Sequence, residues 1–276
     1  MLTRPPTFHL RRGNAPLLIS IPHGGTLVPE WLRARLSPEA ASLPDTDWCL
    51  DQLYDFAHEL DATLIAATYT RYVVDLNRPP DNASLYPGQH TTGLCPTETF
   101  DGHPLYADGN APRPEDMADL MAEYWHPYHR ALGDELERLK SAHGRVALWD
   151  AHSIRSRLPR LFDGELPCFN IGTANHATCP PEITDSIVKR AEQSGYSWIL
   201  NGRFKGGYIT RHYGNPAAGI FAIQMEIAQR AYMRESSNPA QYDGEIAAHL
   251  REHLRVMLED LIIQVGAFGA RGAKTP

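Results

Sequence analysis

Lysine is nearly missing from this chain: it supplies four of the 26 basic residues, and arginine supplies the rest. Acidic residues outnumber basic ones, 33 to 26, and the net charge is −7. A general nucleic-acid binder carries a basic stripe, so that class is set aside. Cysteine is sparse as well. Cys49, Cys95, Cys168 and Cys179 are widely scattered, with no Cys-x-x-Cys pair. This excludes a zinc ribbon or a thioredoxin-like motif and fits reduced thiols in a cytoplasmic protein. No apolar run approaches ~18 residues, so no membrane-spanning helix is expected. The opening Met1-Leu2-Thr3-Arg4-Pro5-Pro6 has no apolar core of the kind a signal peptide needs. No Gly-x-Ser-x-Gly elbow occurs, so nothing marks a serine-nucleophile hydrolase.

What remains is ordinary globular material. The chain is 42% hydrophobic and 21% charged, enough to build a sizeable core. Its 276 residues are read as a single catalytic domain, residues 1–276. Strand-like apolar runs fall near 16–21, 62–67, 71–76, 145–150, 168–173, 196–200 and 219–226. Helical spacing covers 45–60, 114–141, 181–195 and 239–263. Pro127 should kink the second of these. Strands alternating with helices predict an α/β fold with three layers: a mixed, mostly parallel sheet with helices on both faces. Residues 79–113 break the pattern with Pro79-Pro80 and several Gly and Thr. A long irregular stretch inside a domain is more often functional than idle, so it is read as an active-site loop region.

Three short runs at the ends of apolar segments carry the chemistry: Pro22-His23-Gly24-Gly25, Asp150-Ala151-His152-Ser153 and Gln224-Met225-Glu226. Open α/β sheets bind ligands beyond the carboxyl ends of their strands. Two histidines and a carboxylate at such an edge are what a catalytic zinc site requires. His23 and His152 are the candidate histidine ligands. For the third, Asp45 suits a helix N-cap, which leaves Asp47, beside Trp48. Water would fill the fourth place. Glu226 interrupts an apolar strand, where a carboxylate is costly unless it is paired or bound. Near a metal-activated water it becomes a general base. Arg71-Tyr72-Val73-Val74-Asp75-Leu76-Asn77-Arg78 ends a strand-like run with an amide and a guanidinium. A second cationic, Gly-rich loop holds Arg203, Tyr208 and Arg211. Arginine is the preferred bidentate partner of carboxylates. Arg71, Asn77, Arg78, Arg203, Tyr208 and Arg211 are therefore candidate contacts for a small dianionic substrate. His58, His126, His129, His143, His249 and His253 lie on helical patterns and are read as surface residues. His90 and His212 lie in irregular loops and are placed beside the pocket.

Taken together, these runs resemble the N-formylglutamate amidohydrolase (deformylase) family of histidine degradation. The likeness runs from Ser20-Ile21-Pro22-His23-Gly24-Gly25, through Asp45-Thr46-Asp47-Trp48, Tyr72-Val73-Val74-Asp75-Leu76-Asn77-Arg78, Asp150-Ala151-His152-Ser153 and Gly206-Gly207-Tyr208, to Gln224-Met225-Glu226-Ile227. That family looks related to zinc carboxypeptidases and aspartoacylases, which implies a zinc-carboxypeptidase-like (phosphorylase/hydrolase-like) fold. It also implies one zinc or other divalent ion per chain, an Asn-Arg pair for a substrate carboxylate and a late glutamate base. Carried over by position, these are His23 and His152 for the metal, Asn77-Arg78 for the carboxylate and Glu226 for the base. The departure is at Thr26, which stands where the relatives carry a glutamate ligand; Asp47 would replace it. The resemblance implies hydrolysis of N-formyl-L-glutamate to formate and L-glutamate in the cytoplasm, with no nucleic-acid or membrane partner. A deacylase or carboxypeptidase acting on another N-acyl amino acid would use the same residues. A non-catalytic binding protein for acidic amino acids would keep the fold without the metal.

Overall fold

The computed structural model describes residues 5–84, 92–107, 111–235 and 241–268. Seven strands make the main sheet: β1 (Phe8–Arg11), β2 (Leu17–Ile21), β3 (Thr63–Ala67), β4 (Val146–Ile154), β5 (Phe169–Gly172), β6 (Trp198–Leu200) and β7 (Ile220–Ala228). Their order is β1-β3-β2-β4-β7-β5-β6. β1 runs antiparallel to β3, and β5 antiparallel to β7. The other four pairings are parallel. The helices are α1 (Glu30–Arg33), α2 (Leu50–Leu53), α3 (Pro114–Leu120), α4 (His126–His143), α5 (Pro181–Gln193), α6 (Tyr208–Tyr213) and α7 (Gly244–Ala267). Among the described residues no helix is long and apolar enough to cross a membrane.

The pleat explains the layering. Successive strand residues point to opposite faces. Leu17, Ile19 and Ile21 of β2 join Trp149 and Phe221 in one core cluster, with Ile183 and Ile187 of α5 and Leu254 and Leu258 of α7. Leu18 of β2 and Leu148 of β4 join the other cluster, with Tyr128, Leu132 and Leu136 of α4. Helices thus cover both faces, and β2, β4 and β7 read as apolar runs because they are buried on both sides.

From β2 the chain steps to β3 on one side, then crosses to β4 on the other. This is the switch point where α/β sheets open a crevice. His23 follows β2 there, and His152 lies on β4.

Several expectations are corrected. Residues 71–76 form turns, not a strand. Val73-Val74 favour a strand, but Arg71, Asp75 and Asn77 are drawn into buried polar contacts, and His129 Nε2 lies 2.9 Å from the Leu76 carbonyl. His129, expected on a helix surface, is buried there. The helix expected over 45–60 shrinks to α2 and a 3₁₀ turn at Asp55–His58. Asp45 is no N-cap: its Oδ2 accepts from the Tyr72 hydroxyl at 2.8 Å and from the Phe100 amide at 2.9 Å. Before Pro127 the helix widens into a π-helical turn at Met121–Trp125, which takes up the strain of the missing N–H. α7 starts at Gly244, not near Pro239, because Asp243 caps it by accepting from the amides of Glu245 and Ile246. His90 lies outside the described residues.

Candidate active site

Polarity on the two longest strands switches half-way along one face. On the α4 side, β4 presents Asp150 and His152, and β7 presents Gln224 and Glu226. The opposite face carries Ala151, Met225 and Ile227, with Ser153 near its end. In register, Asp150 pairs with Gln224 and His152 with Glu226. Both strands run further than expected, β4 to Ile154 and β7 to Ala228. His152 therefore stands on a rigid strand rather than just beyond one, and Glu226 lies inside β7 rather than at its end.

His23, Asp47 and His152 converge, each buried, with one ligand atom apiece within 4.8 Å of the others. Asp47 Oδ2 lies 3.0 Å from His152 Nδ1 and 3.8 Å from His23 Nδ1. The backbone sets this geometry. The Asp47 amide donates to the His23 carbonyl, and the Ser153 amide donates to Asp47 Oδ2 at 3.1 Å. A Cβ on Gly25 would sit 2.2 Å from the Tyr69 carbonyl oxygen, so only glycine lets the chain after His23 lie against Thr68-Tyr69.

The far nitrogen of His23 is held by a carboxylate, as is usual for a metal-binding histidine: His23 Nε2 lies 2.7 Å from Asp75 Oδ1. His152 Nε2 lies 3.0 Å from Asn77 Nδ2 and 3.2 Å from Asp150 Oδ1, which makes no hydrogen bond among the described residues. Asp75 in turn receives Arg71 Nη2 at 2.6 Å. Burial, helped by the Arg71 charge, lowers the His23 pKa and keeps the ring neutral. Burial opposes charge on His152, but Asp150 and Asp47 outweigh it and hold its pKa well above the usual value. Burial also opposes the Asp75 charge, and Arg71 and His23 overcome that. Burial pushes the Glu226 carboxyl up to about 8.

Two features fit a divalent cation. His23 Nδ1 is buried and has no hydrogen-bond partner among the described residues. Asp47, Asp75 and Asp150 are buried beside a single buried guanidinium, that of Arg71, and Asp150 and Asp47 draw a proton onto His152. Buried carboxylates need such a positive charge; a divalent cation supplies it in place of the proton, and imidazole with carboxylate is then a zinc-type donor set.

The cleft over this cluster is lined by Arg78, Arg203, Asn77, Gln224 and Glu226, and by Glu98, Thr99, Phe100 and Arg160. Residues from the 79–113 region thus do reach the site. Arg78 donates through Nε to the Thr92 carbonyl at 2.7 Å, and Arg160 pairs with Glu98 at 2.5 Å. Arg71 also borders the cleft. Its charge is met by Asp75, with Asp47 Oδ1 at 3.8 Å. Two candidates stand elsewhere. Tyr208 packs on Trp125, His129 and His212. Arg211 is exposed and donates to the Gly206 carbonyl. His212 is exposed as well.

Residues 15–233 match the family described as N-formylglutamate amidohydrolase. The chain belongs to this family. Two curated N-formylglutamate deformylases are similar along nearly their whole length. That of Pseudomonas putida is 49% identical over 265 residues, covering 96% of each chain. That of Pseudomonas aeruginosa is 51% identical over 255 residues, covering 91% of this chain and 94% of the relative. The crystal structure of N-formylglutamate amidohydrolase from Ralstonia eutropha JMP134 shares the fold. Its TM-score is 0.79 at 24% identity, over 97% of this chain and 99% of that one.

The structure brings together four residues of this amidohydrolase-family chain that the sequence reading gave no role. Asp75 holds His23, Asp150 lies beside His152, Gln224 lies beside Glu226, and Arg160 borders the cleft. A signal existed for three of them. Asp75, Asp150 and Gln224 are lone polar residues in otherwise apolar runs, and burying such groups is costly unless they are paired. Arg160 carried no local signal.

Gly207 gives a direct test of how tightly the amidohydrolase site is packed. Its φ is −84°, so backbone conformation does not demand glycine. A Cβ there would lie 2.3 Å from Asn77 Nδ2. Asn77 accepts from the Ile209 amide at 2.8 Å, and its Nδ2 lies 3.0 Å from His152 Nε2. Gly207→Ala should push Asn77 against His152 and lower kcat/KM by at least about tenfold, since misplacement of ~1 Å can cost ~10²-fold. Steady-state kinetics beside a melting curve would check this; unchanged kinetics would mean that Asn77 yields without disturbing His152.

Proposed function

We propose that this cleft hydrolyses N-formyl-L-glutamate to formate and L-glutamate with the help of one divalent ion, zinc by its donor set. His23, Asp47 and His152 would hold the ion. One observation carries the reading: Glu226 lies in register beside His152 of the His23–Asp47–His152 cluster, in a chain about half identical to N-formylglutamate deformylases. When bound, the ion supplies a Lewis acid for the formyl carbonyl and lowers the pKa of nearby water.

The protein's own groups do the rest. Asp75 orients the His23 imidazole, while Asn77 and the Asp150 charge lie at the far nitrogen of His152, and each Nδ1 faces Asp47. Arg71 balances Asp75 and Asp47 and so belongs to the metal end. Glu226 removes a proton from the attacking water and delivers it to the leaving amine nitrogen. A cation at the cluster favours its ionised form against the desolvation that raises its pKa. Arg78, Arg160 and Arg203 are left to bind the two carboxylates.

Asn77 has a second task beside the one the resemblance implies: its oxygen accepts from the Ile209 amide and its nitrogen faces His152 Nε2, and the second N–H of that nitrogen remains for a substrate carboxylate.

The test compares formate release from N-formyl-L-glutamate and N-formyl-L-alanine. The alanine compound lacks the side-chain carboxylate and should be the poorer substrate. A charge pair truncated on one side in a closed site costs about 2–5 kcal/mol, so Arg78→Ala should lower kcat/KM for N-formylglutamate by roughly 30-fold or more with metal retained. Equal turnover of both compounds by the wild type would discard the two-anchor reading and favour a broader N-acyl amino-acid deacylase.

A further inference from the structure

We infer that Gln224 is a positioning residue, which holds the Glu226 carboxylate toward the reaction centre. The inference rests on the reading of Glu226 as the base. Residues 224 and 226 are two apart on β7, so the pleat puts them side by side on one face. Both are buried and both border the cleft.

Gly207 decides which way the Gln224 amide faces. Its N–H donates to Gln224 Oε1 at 2.7 Å. The oxygen is thereby fixed toward Gly207, and Nε2 must face the other way. It donates to Glu226 Oε2 at 3.3 Å. Among the described residues no second donor bonds the Glu226 carboxylate.

That single N–H restricts rotation of the buried terminal carboxylate, which is otherwise broad. Gln224 transfers no proton itself and acts only through Glu226. Asn77 is aimed in a parallel way, with its oxygen fixed by the Ile209 amide and its nitrogen facing His152. The start of α6 thus aligns two side-chain amides, one for each functional group behind the cleft.

The test is a double-mutant cycle on the metal-loaded full chain. Gln224→Met keeps the length and removes both polar ends. It should lower kcat for formate release about 10- to 100-fold, the effect of losing a hydrogen bond to a charged group, with KM changed little. In a Glu226→Gln background the same substitution should leave the residual kcat unchanged, because nothing remains to be positioned. A merely structural role would lower kcat equally in both backgrounds, and that result overturns the inference. If Gln224→Met fails to fold, Gln224→Leu is used in the same cycle, since it also removes the donor without adding a charge. Unchanged kcat in either folded single variant also overturns the inference. Full turnover by Glu226→Gln alone would overturn the base reading instead, so the two failures are separable.

Discussion

Glu226→Gln is expected to retain its metal and lose kcat by roughly 10²–10⁴, the usual contribution of general acid–base catalysis. The substitution keeps the shape and replaces a basic carboxylate by a neutral amide that cannot take the proton. Glu226 lies on a buried strand beside His152, and its carboxyl is raised to about 8 by desolvation. Such a group holds a proton readily once it has taken one, as delivery to a leaving amine requires. KM should move little, because arginines rather than Glu226 bind the substrate carboxylates. Near-normal turnover would place the base elsewhere. Joint loss of metal and activity would make Glu226 a ligand.

The second large effect is expected at the metal cluster. His152→Ala removes one of three donors and leaves Asp47 without the imidazole 3.0 Å away. Stoichiometric metal should be lost, and formate release should fall to near background. A milder, graded result is expected one step out. Asp75→Asn leaves His23 in place but weakens the partner of its Nε2, and should reduce metal affinity by ~10–100-fold. Elemental analysis after exhaustive dialysis would measure both. Full metal content in His152→Ala would move the site away from this cluster.

The parts of this molecule legible in its sequence are those where one residue type has one dominant reason to be present. β2, β4 and β7 were visible as apolar runs because both faces are buried. His23, His152 and Glu226 were visible because a polar group ending such a run needs an explanation. The strand ends were misplaced for the same reason. Asp150 and Gln224 look like the close of an apolar segment, whereas they begin a polar half-face on strands that continue. Residues 71–78 were misread because Val73-Val74 have strand propensity, and tertiary contacts override propensity. Here the overriding contacts are the Arg71–Asp75–His23 chain and the approach of α4 through His129. Asp45 and Asp47 looked alike in sequence. Only packing separates them: one holds Phe100 and Tyr72, the other faces two histidines. Arg160 could not be read at all, because its place beside Glu98 depends on two loops far apart in the chain.

The most direct test strips the purified chain of metal with a chelator and returns zinc in steps while formate release from N-formyl-L-glutamate is followed. The account predicts negligible release from metal-free protein, recovery in proportion to added zinc and a plateau at one equivalent per chain. Full turnover by protein shown to be metal-free would contradict it.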